Sequence, residues 1–349
     1  MPLPELLRRL LRRSPQPSLK PSAEARTPRP SDTEAPLPPP LPEGRTVLLP
    51  GRGEVFVREA PGPPGGPVIL LLHGWTASAD LNWFALYGPL ADVGHVIALD
   101  HRGHGRGMRS ETAFALDDCA DDAAALLREL GHREVIAVGY SMGGPIAMLL
   151  WRRHPALVRG LVFEATALEW RASIRERLTW KLLAGAELSF RLGPNRSVVA
   201  WLLRRAAEYA PEVRSLTPWL KAELRRGDPA AMAQAGRALS LYDARPFAGE
   251  VDVPTAVVVT TRDRLVRPRK QQQLARAVPG AGVFTVAADH DAPLVKPVEL
   301  AKATTDALAY VLRGAGEPRA AVAAAVASAA ASAAASAAAG GDGTLSEAR

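Results

Sequence analysis

Residues 135–147 read VIAVGYSMGGPIA. Val135, Ile136 and Val138 make a β-branched apolar run that reaches Gly139, and the chain then turns through Tyr140, Ser141, Met142 and Gly143 into a pattern of helical spacing. A strand, a tight turn and a helix with Gly-x-Ser-x-Gly across the turn is the setting in which a serine Oγ stands exposed above a sheet. The spacing has a steric reason. Backbone must pass close to the serine on both sides, and side chains at 139 or 143 would block it. The turn also opens a helix, whose first N–H groups favour negative charge. Ser141 is therefore the candidate nucleophile, and Gly139 and Gly143 are the glycines of its elbow.

On both sides of this stretch short apolar runs alternate with helical patterns. Residues 46–60 give two β-rich runs around Pro-Gly-Arg-Gly, which predicts an opening hairpin. Val68 to Leu72 and His95 to Leu99 are continuous apolar runs of the kind found in strands buried on both faces. A helix-like stretch from Trp83 to Leu90 lies between them, and another from Leu116 to Leu130 precedes the elbow strand. A strand at Leu161 to Phe163 follows. Residues 166–245 then show only helical spacing, before strands at Thr255 to Thr260 and Val283 to Ala287 alternate with helices from Arg269 and from Val298 to Leu312. Such alternation predicts right-handed crossovers and a parallel sheet with helices on both faces. The helical insertion is most simply a cap over the carboxyl ends of the strands, where open sheets bind ligands.

Serine-based acyl transfer needs a histidine to take and return the proton, and a carboxylate to orient the imidazole. His290 follows one late strand and Asp263 another, in the order Ser, Asp, His along the chain. Asp289 and Asp291 adjoin His290, but immediate neighbours point away from the ring. Glu164, at another strand end, is the stronger rival; Asp263 is preferred because its strand directly precedes the histidine-bearing unit. The N–H groups of Trp75, in His73-Gly74-Trp75, and of Met142 are the expected oxyanion donors. The loop from Asp100 to Gly105 offers two histidines and a carboxylate without a third fixed ligand, so a hydrogen-bonded structural turn is expected there, and no metal or cofactor.

The chain has 349 residues, 47% of them hydrophobic, ample for a buried core. Its formal charge of +7 has two sources. Residues 166–245 hold fourteen Arg or Lys against eight Asp or Glu, and the N-terminus adds more. No nucleic-acid module accompanies either, so no nucleic-acid partner is expected. Residues 1–13, MPLPELLRRLLRR, space leucines on one helical face and arginines on the other, a pattern suited to peripheral contact with an anionic membrane. Residues 1–44 as a whole read as this basic helix and a proline-rich linker outside the folded body, and residues 314–349 as an Ala/Ser-rich low-complexity tail. The single cysteine, Cys119, excludes an internal disulfide and reads as a small buried residue; with no spanning segment, a cytoplasmic protein is expected. The oligomeric state is not indicated.

HGW at 73, DHRGHG at 100, GYSMGG at 139, Asp263 and His290, in that order, resemble the α/β-hydrolase superfamily over about residues 46–313. The resemblance implies a mostly parallel eight-stranded sheet flanked by helices, residues 45–313 as catalytic domain, and the cap of residues 166–245 inserted after the sixth strand. Haloalkane dehalogenases and epoxide hydrolases of that superfamily carry an aspartate where this chain has Ser141. The HGW and Ser-Met-Gly pairing is similar to carboxylesterases and cofactor-free perhydrolases. The implied activity is therefore hydrolysis of a small-molecule carboxylic ester with a lipophilic acyl chain, lipase-like and without cofactor. Acyl transfer or perhydrolysis on the same residues is an alternative, as is a non-enzymatic, membrane-associated binding protein.

Overall fold

Along each buried strand successive side chains point to opposite faces, and this period of two sorts the apolar residues into two layers. In the run Val68–Leu72, Ile69 and Leu71 enter one cluster with Trp83, Leu90, Ala307 and Leu308. Leu70 and Leu72 enter the other, with Ala120, Ala124, Ile146 and Leu150. Each leucine buried in this way contributes about 1.5–3 kcal/mol. A sheet that is apolar on both faces must be covered on both, and it is.

The structure is a computed structural model and describes residues 38–171 and 216–314. The expected basic helix 1–13, the linker up to residue 37, the insertion residues 172–215 with Trp180 and Trp201, and the tail from residue 315 lie outside the described residues. Strands β1 (Gly44–Leu49) and β2 (Gly53–Ala60) form the expected hairpin. They are followed by β3 (Val68–Leu72), α1 (Ala79–Trp83), α2 (Tyr87–Ala91), β4 (His95–Leu99), α3 (Leu116–Glu129), β5 (Val135–Tyr140), α4 (Gly143–Arg153) and β6 (Val158–Glu164). Beyond residue 215 come α5 (Thr217–Leu224), α6 (Pro229–Leu241), β7 (Thr255–Thr260), α7 (Pro268–Ala277), β8 (Gly282–Val286), α8 (Ala292–Val295) and α9 (Pro297–Gly314).

The eight strands lie in the order β1-β2-β4-β3-β5-β6-β7-β8. β2 is antiparallel to β1 and β4, and every later pairing is parallel. All carboxyl ends from β3 onward therefore face one way. β5 sits centrally between β3 and β6, with all six of its residues buried.

One expectation needs correction. The helix expected at Trp83 to Leu90 is two short helices, because Pro89 has no N–H to give to the carbonyl four residues back. Trp170 joins the main core, and Trp219 meets Phe84 edge-on at 5.7 Å in a cluster with Leu81 and Leu220. The described part of the insertion thus packs on the sheet domain itself.

Candidate active site

Ser141 lies just beyond β5 with φ at +52°, a left-handed conformation rare for a residue with a side chain. The neighbouring glycines make the turn sterically possible. A Cβ at Gly139 would collide with the carbonyl of Gly143, and a Cβ at Gly143 would collide with the carbonyl of Leu72. The strained serine is held by its own N–H, which donates to Glu164 O at 2.8 Å, and by its carbonyl, which accepts from Thr166 Oγ1 at 2.7 Å.

Three residues from separate loops meet at this turn. His290 Nε2 is 2.9 Å from Ser141 Oγ, and His290 Nδ1 is 2.8 Å from Asp263 Oδ2. Asp263 is anchored further: Oδ1 accepts the N–H groups of Leu265 and Val266, and Oδ2 accepts the Thr260 hydroxyl and the Gln271 amide. With a carboxylate oxygen facing Nδ1, the ring's proton sits on Nδ1 and Nε2 is left to accept from Ser141. The Tyr140 hydroxyl donates to His290 O at 2.9 Å, and Asp289 Oδ1 accepts His290 N–H at 2.8 Å, so the loop carrying the imidazole is fixed on both sides.

Glu164, the rival acid, is aimed elsewhere. Its Oε1 accepts the hydroxyl of Thr304 on α9 at 2.6 Å, and the side chain is fully buried. Burial raises its pKa from 4.5 to about 7, against the smaller opposing effect of the Thr304 hydrogen bond. Between those values the folded chain keeps a proton that the unfolded chain has lost, so this group makes stability fall as pH rises from 4.5 through about 7. Asp100, raised by burial to about 6, adds a slope of the same sign. Glu164→Gln removes one of the two. Urea unfolding should then show a stability difference between pH 5 and pH 8 reduced by on the order of 2–3 kcal/mol; an unaltered difference would mean that Glu164 does not titrate in that window.

Of the expected oxyanion donors, Trp75 lies in the wall of the cavity beside Ser141, and Met142 is buried at the start of α4. The preceding N–H groups are spent: that of Ser141 on Glu164 O, and that of Gly74 on Asn82 Oδ1 at 3.0 Å. The Trp75 indole N–H donates to Met232 O of α6 at 2.7 Å, and its ring packs in the space left by Gly236. Helix α5 is tied to the same region by Glu223, whose carboxylate takes the Ser78 hydroxyl and the guanidinium of Arg106. Met232 and Glu223 support the site across long sequence gaps and carry no motif, and neither Asn82 nor Gln271, each eight residues from its partner, has a sequence signal that exposes it.

The loop at Asp100 is a structural turn. Asp100 accepts the N–H groups of Ala79 and Arg106, both at 2.7 Å. His73 donates through Nδ1 to Gly74 O and accepts His101 N–H at Nε2. Burial drives His101 down to about 3 and His104 to about 4, so these rings are neutral packing groups. Cys119 is likewise buried, its thiol pushed well up by desolvation.

A cavity of about 430 Å³ opens over Ser141 and His290, walled among the described residues by Leu81, Leu220, Leu224, Leu265 and Leu294. Hydrogen-bonded serine, histidine and aspartate beneath an apolar cavity can perform nucleophilic acyl chemistry. Residues 67–297 match the alpha/beta hydrolase fold family. The chain belongs to this family. A 2-(acetamidomethylene)succinate hydrolase from Mesorhizobium japonicum is 30% identical over 271 residues, which is 73% of this chain and 92% of that protein. A pimeloyl-(acyl-carrier protein) methyl ester esterase from Neisseria meningitidis is 28% identical over 236 residues, 66% of this chain and 89% of its own length. A solved E-2-(acetamidomethylene)succinate hydrolase superposes with a TM-score of 0.60 at 29% identity, covering 76% of this chain and 98% of its own. These relatives are named as hydrolases or an esterase, and the likeness extends across nearly their whole length. No described helix of this alpha/beta hydrolase is long and apolar enough to cross a membrane.

Proposed function

We propose that the chain is a serine hydrolase that cleaves carboxylic esters with a lipophilic acyl group, through an acyl-enzyme on Ser141. The observation that carries this reading is the unbroken chain of hydrogen bonds from Ser141 Oγ through His290 to Asp263, opening into a leucine-lined cavity. His290 Nε2 takes the hydroxyl proton as Oγ attacks the ester carbonyl carbon, and the oxyanion is stabilised by the N–H groups of Trp75 and Met142. His290 returns that proton to the departing alkoxide, which leaves as the alcohol. Water then gives a proton to the same Nε2 and attacks the acyl carbon; the proton passes back to Ser141 Oγ and the free acid departs. Asp263 holds the ring and offsets its transient positive charge.

Residues 45–313 are taken as the catalytic domain and 166–245 as a cap supplying one wall, a reading supported by Leu220 and Leu224 of α5 at the cavity. A panel of p-nitrophenyl esters of rising chain length tests the substrate class. Turnover should pass through a maximum at medium chain length, because a cavity of about 430 Å³ holds a medium acyl chain and not a long one. A flat profile, or preference for acetate, would remove the lipophilic acyl group from the reading. Adding an alcohol or hydrogen peroxide to the same assay separates hydrolysis from acyl transfer and perhydrolysis by the product formed.

A further inference from the structure

Of the seven histidines in the chain, His290 serves the candidate site, three form the buried cluster behind it, and His154 is paired with Asp121. The remaining two, His95 and His132, face each other at the far end of the sheet. His95 opens β4 in register with Val68, the first residue of β3, and His132 precedes the first residue of β5. Ser141 follows the last residue of β5, so the six residues of that strand, about 20 Å, separate the two places.

Glu59 of β2 completes the group. Its Oε2 lies 3.2 Å from His95 Nε2, the two imidazole rings are 5.4 Å apart with a 38° tilt, and one donor atom from each of the three residues lies within 4.8 Å of the other two. All three are half-buried. We propose that Glu59, His95 and His132 form a binding site for a divalent transition-metal ion of the zinc class.

Two imidazoles and one carboxylate are a donor set that zinc accepts, with bonds of about 2.0–2.2 Å and a fourth position left to water. In tetrahedral geometry such bonds set neighbouring donors about 3.3 Å apart. The Glu59–His95 pair already has this spacing, and the His132 ring has only to close on it. β2 and β4 are fixed side by side by their ladder, with Glu59 in register with Ile97, so two of the donors are held by the sheet. Arg45 donates to Glu59 Oε1 from Nε at 3.1 Å and from Nη2 at 2.5 Å, which leaves Oε2 turned toward the histidines. Outer partners of this kind fix the orientation of metal-binding carboxylates. The charge of Arg45 opposes the ion, but its side chain is 53% exposed and is screened by solvent. Positions 59, 95 and 132 have no motif spacing, which is why the sequence, read alone, leads to an expectation of no metal.

The alternative is an ordinary Glu59–His95 ion pair with His132 merely stacked beside it. Calorimetric titration of the full chain with zinc chloride in a non-coordinating buffer separates the two. One equivalent should bind, and His132→Ala and His95→Asn should each weaken binding by at least about tenfold, while His290→Ala leaves it unchanged. No binding, binding that survives His132→Ala, or binding lost with His290→Ala would overturn the site. Thermal unfolding of the unmodified chain gives a second reading that needs no variant: zinc should raise the midpoint and magnesium, which demands oxygen donors, should not. An equal rise with magnesium would count against the imidazole ligands.

Discussion

Ser141→Ala should lower ester turnover by about 10⁴-fold or more and abolish labelling by a fluorophosphonate probe. The variant keeps the Cβ, and with it the fit between Gly139 and Gly143, so the fold has no reason to change. What is lost is the Oγ that faces His290 Nε2 at 2.9 Å. The left-handed backbone at 141 costs alanine about as much as serine, so the urea midpoint should stay close to that of the unmodified chain. Activity that falls while stability holds identifies a chemical role rather than a structural one. Since nucleophile and base act as a unit, Ser141→Ala combined with His290→Ala should cost little more than either alone. Undiminished labelling of Ser141→Ala would move the nucleophile elsewhere in the chain and remove the ester-hydrolase reading.

The elbow is legible because its requirements are local. Gly139 and Gly143 must lack a Cβ for the chain to pass, and a steric need at fixed offsets from one serine is written in five consecutive residues. The strands of the parallel sheet are legible for a similar reason: Val68–Leu72 and Val135–Tyr140 are buried on both faces and must be apolar throughout. Side-chain direction is less so. Asp263 and Glu164 both stand at strand ends, and sequence order could only rank them; what separates them is that one carboxylate meets His290 while the other turns into the protein toward Thr304. Long-range pairing is least legible. The indole of Trp75 reaches Met232, Glu223 reaches Arg106, and Glu59 reaches His95, with nothing in the intervening sequence to mark any of these meetings. The break between α1 and α2 had a signal in Pro89 that helical spacing alone overrode.

Asp263→Asn should reduce kcat by about 10³–10⁴-fold with little change in KM, whereas Glu164→Gln should leave kcat within about threefold. The asymmetry follows from proton placement. The carboxylate beside His290 Nδ1 can only accept, so it holds the ring proton on Nδ1 and leaves Nε2 free to receive the proton of Ser141. An asparagine amide can present N–H to Nδ1 instead. The ring then carries its proton on Nε2, which faces the hydroxyl as a donor and cannot act as base. The charge that offsets the imidazolium is lost as well. Glu164 shares neither property, since its carboxyl meets Thr304 and not the imidazole. Asp263 also accepts from the Thr260 hydroxyl and the Gln271 amide through Oδ2, so the asparagine variant leaves donors short of an acceptor and should lose about 1–3 kcal/mol of stability. Turnover must therefore be referred to folded protein, measured by circular dichroism at the assay temperature. Equal losses in Asp263→Asn and Glu164→Gln would take the acid role from Asp263; a loss confined to Asp263→Asn, in protein that is still folded, ties the rate to the orientation of His290.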